Sequence, residues 1–321
     1  MKSAINKISL LLTVLLICPK ISYGAWIWTP ETGKWINPKH AVKDSAEEQF
    51  KYAMGLYDGK EYKRAVQELD KLIRYYPGSS HAPDAQYYTG RSYEDMEEYY
   101  HSYLAYQKMI EAYPYAKNRD EVIKRQFDIG MRFFNGEKAK VMGVALLPAT
   151  DKAVEIFEQV VRNSPYGEYA DKAQYKIGEA YKNTGRFAEA TVAFQTLADE
   201  YPKSELINEA NYQIAQCAYL ASLNYAYDQG TTDKAIEKFE EFTTYAADNE
   251  ELSREAQENL KRLREKRAMG LFETARFYEK IGQFASAAIY YKDIADKYPD
   301  SSLAKEAVTK VMEIDKKIKK R

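Results

Sequence analysis

A helical hairpin written out about six times is the feature that most constrains this chain. Its best-formed copy is Asp171–Pro202, DKAQYKIGEAYKNTGRFAEATVAFQTLADEYP. Two stretches of helical period flank Asn183-Thr184-Gly185-Arg186. Gly178 and Ala190 are small enough for the two helices to approach closely, and Tyr181 and Phe194 fill the space beside them. Pro202 ends the second helix, because proline lacks an amide hydrogen and clashes with the turn before it. One such hairpin cannot bury its own apolar face, so the sequence predicts a stack of them.

The same offsets recur along the chain. The first copy, Ala46–Pro77, carries Ala53, Leu56, Ala65, Leu69 and Pro77; the second, Pro83–Pro114, carries Gly90, Tyr93, Ser102, Tyr106 and Pro114. The third begins near Lys124 and has Gly130, Phe133, Ala153, Phe157 and Pro165, with extra residues around Glu137–Thr150. The fifth starts at Asn208 with Ala215, Ala218, Ala235, Phe239 and Phe242, and is interrupted around Leu223–Thr232. A charged segment, Glu250–Arg267, then runs as one long helix into the sixth copy, Ala268–Pro299. Ser301–Lys319 reads as a capping helix, which a terminal repeat needs for solubility. Small, aromatic and proline positions at this spacing are similar to the tetratricopeptide unit. The expected fold is therefore all-α: a right-handed superhelix of about six helix-turn-helix units. The serines of Tyr201-Pro202-Lys203-Ser204 and Tyr298-Pro299-Asp300-Ser301 are expected as N-caps of the following helices.

Composition narrows the function classes. Charged residues make up 30% of the 321, yet the net charge is −1, so there is no basic excess of the kind nucleic acid requires. The 29 tyrosines suit inter-helix seams, where the ring packs and the hydroxyl reaches water. Residues 1–24 read as an export signal: Lys2 and Lys7 precede the short apolar core Ile8–Ile17, and Ser22-Tyr23-Gly24 offers a cleavage site. Cys18 has two readings. It is the lipidated cysteine of Leu15-Leu16-Ile17-Cys18, or a signal-peptide cysteine lost on cleavage after Gly24. Cys217 reads as a small core residue. The expected organisation is signal 1–24, a Trp-rich hairpin and linker 25–45, units one to four over 46–204, and units five and six with their linking and capping helices over 205–321.

All three tryptophans lie in Ala25–Pro38, AWIWTPETGKWINP. Alternation around Pro30-Glu31-Thr32-Gly33 predicts a short β-hairpin with Trp28 opposite Trp35. Trp26, Trp28 and Trp35 form either an aromatic clamp for a partner or the membrane interface, or a flap folded back on the first repeat.

No catalytic constellation stands out. His40, His81 and His101 are scattered, no cluster has metal-ligand spacing, and no Gly-rich loop opens a helix. No enzyme activity, metal or cofactor is expected. One position does recur: the fifth residue of each first helix is aromatic, namely Phe50, Tyr87, Phe127, Tyr175, Tyr212 and Phe272. These rings either line a concave peptide-binding face, with Arg91 and Glu179 as polar anchors, or pack between helices.

The stretch Asn208–Lys310, with NLKRLREKRAMGLFETARFYEKIGQFASAAIYYKDIADKYPDS, resembles the BamD family of outer-membrane β-barrel assembly components. A linking helix leads into a repeat there in the family's manner. The resemblance implies a non-catalytic periplasmic scaffold at the inner face of the outer membrane. Its partners would be a BamA-like insertase and unfolded barrel proteins. A periplasmic adaptor that coordinates peptidoglycan synthesis or the Tol system is the alternative.

Overall fold

The computed structural model describes residues 27–29, 34–36, 41–136, 149–224, 229–245 and 249–319. The signal reading, Cys18, Trp26 and most of the segment inserted in the third copy lie outside the described residues. Two short strands and thirteen helices are described: β1 Ile27–Thr29, β2 Lys34–Ile36, α1 Ala46–Asp58, α2 Tyr62–Tyr75, α3 Ala82–Asp95, α4 Tyr99–Ala112, α5 Arg119–Phe134, α6 Ala149–Asn163, α7 Ala170–Asn183, α8 Phe187–Glu200, α9 Ile207–Asn224, α10 Gln229–Tyr245, α11 Glu250–Lys280, α12 Phe284–Lys297 and α13 Ala304–Lys319. The fold is the all-α tetratricopeptide arrangement that the offsets predict. Residues 1–92 and 93–321 form two compact units. Residues 204 and 205, where the sequence reading divided the repeats, fall inside the second unit, because α8 and α9 pack on each other as closely as the helices of one hairpin do.

In the first unit, β1 pairs antiparallel with β2, placing Trp28 opposite Trp35 and Ile27 opposite Ile36. Ser45 caps α1 by accepting from the Glu48 amide at 3.1 Å, which satisfies one of the four free N–H groups of the first turn. Ala53, Leu56, Ala65, Leu69 and Leu72 close the α1–α2 interface. Gln49 is fully buried there. Its side-chain amide donates to the Glu68 carbonyl at 2.9 Å, and its Oε1 accepts from the Lys43 amide at 2.9 Å.

In the second unit each helix from α4 to α13 packs on the next in sequence. The core repeats with the hairpins: Phe133 with Phe157, Ala190 with Phe194 and Leu197, Phe239 with Phe242, and Ala287 with Tyr291 and Ile294. Burying each large side chain contributes about 1.5–3 kcal/mol. Gly130 and Gly178 face Phe157 and Phe194, and a Cβ added at either glycine would sit 2.6 Å from the ring. The α7–α8 turn puts Gly185 at φ 75° and the α11–α12 turn puts Gly282 at φ 78°. The equivalent positions of two earlier turns hold Lys60 at 61° and Glu97 at 58°, which an L-residue adopts at a cost.

The serine joints correct one expectation. Ser204 does not cap α9; its hydroxyl accepts from the Leu206 amide at 3.1 Å and donates to Asp171 Oδ2 at 2.6 Å, tying one joint to the start of α7. The Ser301 hydroxyl is buried with no hydrogen-bond partner among the described residues. The reason is positional: α9 starts three residues after Ser204 and α13 three after Ser301, beyond the reach of a capping side chain.

Candidate functional site

The longest element of the second unit floors an open groove. Helix α11 has 31 residues, about 46 Å of axis. Asn249 starts it by accepting from the Leu252 amide at 3.1 Å, and Glu250 and Glu251 in the first turn complement the helix dipole. One side of the helix is buried through Ala256, Leu260, Leu263, Ala268, Leu271, Phe272 and Ala275. The opposite side carries Glu258, Arg262, Met269, Glu273 and Phe277 at helical spacing.

That face floors a groove of about 1360 Å³, walled by Gln229 at the start of α10 and by Asp300 and Ser302 at the joint before α13. Met269 is 46% exposed and Phe277 58% exposed, so two large apolar side chains stand in the groove uncovered. Further along α11 a second recess of about 840 Å³ shares Glu273 and Phe277 and adds Arg276, Lys280 and Lys310.

The charges in this region divide into two sets. Arg267 is tied down, donating to Asp233 at 2.6 Å and to Gln229 Oε1 at 2.9 Å; Lys266 donates to the Ser222 carbonyl at 2.7 Å. Glu265 accepts from the backbone and hydroxyl of Ser302. These contacts hold the walls to the floor. Glu258, Lys261, Arg262, Glu273 and Arg276 have no ion-pair partner among the described residues. Two exposed apolar side chains with Glu273 between them, bordered by further unpaired charges of both signs, can receive an amphipathic peptide or a partner's helix. Among the described residues no group of three His, Cys, Asp or Glu side chains is placed to hold a metal ion. No described helix is long and apolar enough to cross a membrane.

Of the six aromatic positions only Phe272 belongs to α11, where it sits on the buried side and lines the second recess. In the first unit Phe50 is half-buried and stacks on His81 with centroids 5.2 Å apart, while Tyr87 is buried beside Tyr88 and accepts from Arg91 at 3.3 Å. In the second unit each ring rests on an aromatic ring of the next helix: Phe127 on Phe157, Tyr175 on Phe194, Tyr212 on Phe239 and Phe242, Phe272 on Tyr291. Tyr212 also donates to Glu255 at 2.8 Å. Burial, reinforced by Glu255, pushes the Tyr212 phenol up to about 12, and burial with nearby Glu179 does the same for Tyr175. Glu179 itself is held by Lys176 at 2.6 Å. Burial raises the Cys217 thiol to about 11, so it behaves as a core group and not as a nucleophile.

Sequence reasoning missed two sets of residues. Met269 and Phe277 are apolar yet fall off the buried stripe of α11; that mismatch was readable in the 250–280 pattern. A glutamine precedes the aromatic in four first helices, Gln49, Gln86, Gln126 and Gln174, and all four are buried. Gln174 donates to the Ala193 carbonyl at 2.9 Å, as Gln49 does to Glu68, so each clips its helix to the next.

Comparison with known proteins locates these features. The tetratricopeptide repeat family matches residues 49–79. A family described as outer membrane lipoprotein, YfiO, matches residues 148–320, which contain the groove. A curated relative, outer membrane protein assembly factor BamD of Caulobacter vibrioides, is 23% identical over 163 residues, 51% of this chain and 53% of the relative. The chain thus spans about half the length of the curated relative it matches. Similar solved structures include a thermophilic tetratricopeptide protein of Thermus thermophilus, at 13% identity and a TM-score of 0.32 over 67% of this chain and 99% of that one. PilW, a type IV pilus biogenesis factor, aligns at 12% identity with a TM-score of 0.30 over 83% of this chain and 99% of its own. With more than half of its residues matched by one family, the chain belongs to the YfiO outer membrane lipoproteins.

Proposed function

We propose that this protein is a periplasmic scaffold for the assembly of outer-membrane β-barrel proteins, acting by binding and without chemistry of its own. The observation that carries the reading is the groove of α11, where Met269 and Phe277 stand exposed between unpaired charges inside the family-matched region. An apolar centre ringed by polar groups is how protein interfaces are built. The groove receives a segment of the barrel-inserting partner, and the walls fixed by Arg267 and Glu265 keep it open. The rings of the second unit, Phe127, Tyr175, Tyr212 and Phe272, serve this surface by setting the hairpins that carry it. The family match and the assembly-factor relative favour this reading over an adaptor for cell-wall synthesis or the Tol system.

A pull-down from the cell envelope tests it. The scaffold reading expects the barrel insertase among the captured proteins, and its loss with Met269→Asp/Phe277→Asp while the helical circular dichroism stays unchanged. Capture of cell-wall synthases or Tol components in place of the insertase would overturn it.

A further inference from the structure

The groove leaves the tryptophan hairpin of the first unit without a role. Trp28 and Trp35 face each other across the strand pair, with ring centroids 5.8 Å apart. Trp28 is 47% exposed and Trp35 62% exposed. A two-stranded hairpin is marginal in water, and this one spends its largest side chains on solvent. The register also pairs Ile27 with Ile36, so apolar residues occupy both alternating sets of positions.

We infer that this hairpin is a membrane-interface anchor that lays its indole rings among the headgroups and upper acyl chains of an anionic lipid surface. Three observations select a lipid surface as the occupant. Indole is the side chain best suited to that layer, since its body is apolar and its N–H is polar. The segment 25–45 carries Lys34, Lys39 and Lys43 against Glu31 and Asp44, a net charge of +1 in a chain whose total is −1. Basic residues beside apolar anchors add electrostatic attraction to anionic lipids. The third observation is reach. Lys43 is pinned to the helical body, its carbonyl accepting from the Tyr76 hydroxyl at 2.6 Å and its amide donating to Gln49. Seven residue steps separate Ile36 from that pin, at most about 25 Å of chain. The hairpin therefore holds the first α-helices close to whatever surface it enters. Nine steps separate Ile27 from Cys18, about 30 Å, so an acyl group on Cys18 and the hairpin can occupy one membrane surface together. The inference does not depend on the groove's partner.

The chain supplies its own reporter. Its only three tryptophans are Trp26, Trp28 and Trp35, so intrinsic tryptophan emission reads this hairpin alone. The mature protein isolated from the envelope would be mixed with vesicles of phosphatidylethanolamine and phosphatidylglycerol, and then with vesicles whose acyl chains are brominated. The expected result is an emission shift to shorter wavelength and quenching by the brominated chains. Both effects should grow with the phosphatidylglycerol fraction and be lost in Trp28→Ala/Trp35→Ala, with Trp26 left as the probe. Because the signal comes from the hairpin, an acyl anchor elsewhere cannot imitate it. Emission that stays at the wavelength of exposed indole while the protein sits on vesicles would overturn the inference. So would emission already short in wavelength without lipid, which would place the rings on the first repeat, or a shift produced only by an added envelope protein.

Discussion

Gly178 lies directly against the ring of Phe194: a Cβ added to Gly178 would sit 2.6 Å from Phe194 Cε1. No methyl group fits there, and Phe194 is fully buried, so the ring has little room to retreat. The pair fixes how closely α7 and α8 approach. Gly130 and Phe157 repeat the relationship one hairpin earlier, also at 2.6 Å.

Gly178→Leu is therefore expected to lower stability by about 1–3 kcal/mol or more through overpacking. Gly55 gives the control. It is an exposed glycine within α1, with nothing within 4 Å of an added Cβ. Gly55→Ala is expected to raise stability by about 0.5–1 kcal/mol, because alanine is the better helix former. Denaturant unfolding measures both. Equal effects of the same sign would deny that close approach governs the first site.

Lys60 and Glu97 hold the left-handed turn position that Gly185 and Gly282 hold in later hairpins. A side chain in that conformation costs about 1–2 kcal/mol, part of which glycine returns as extra freedom in the unfolded chain. Lys60→Gly and Glu97→Gly should each stabilise by about 0.5–1 kcal/mol in thermal or denaturant unfolding. A loss of stability would show that the side chains make compensating contacts.

Tyr175, Tyr212 and Tyr291 have phenols pushed up to about 12, in each case chiefly by burial. An unfolded tyrosine ionises near pH ~10. The folded form therefore retains protons that the unfolded form releases. The stability from this source is intact below about pH 10 and is lost as pH rises towards about 12. Ultraviolet titration at about pH 11, between those two values, should show less phenolate in the native protein than in the same protein unfolded. Identical titration curves would place these rings in water.

The hairpins were legible in the sequence because their signals are local. A glycine facing a phenylalanine, a proline after the second helix and a glycine in the turn each act within one unit. The long run from Glu250 to Lys280 was legible for the same reason, having no breaker inside it strong enough to end a helix. The partner face was not. Periodicity shows that Tyr175 and Tyr212 share a face of their helices with core residues. It does not say whether that face meets the second helix or the solvent, and in the structure both rings meet Phe residues of the following helix. Met269 and Phe277 looked like ordinary helix residues in the sequence. Their mismatch with the stripe of Leu271, Phe272 and Ala275 was present in the pattern, and the structure adds that this stripe is the buried side of the helix. The buried glutamines escaped because a polar side chain reads as surface until its carbonyl partner is in view.

The groove account meets its most direct test in site-specific photo-crosslinking from position 277 in living cells. Phe277 is exposed and shared by both recesses of α11, so a photoreactive phenylalanine analogue there leaves the core untouched. The account predicts a defined adduct with the barrel-inserting protein, absent when the same probe replaces exposed Ile289 on α12. Adducts from Ile289 but not Phe277, or adducts from Phe277 only with cell-wall or Tol proteins, would contradict it.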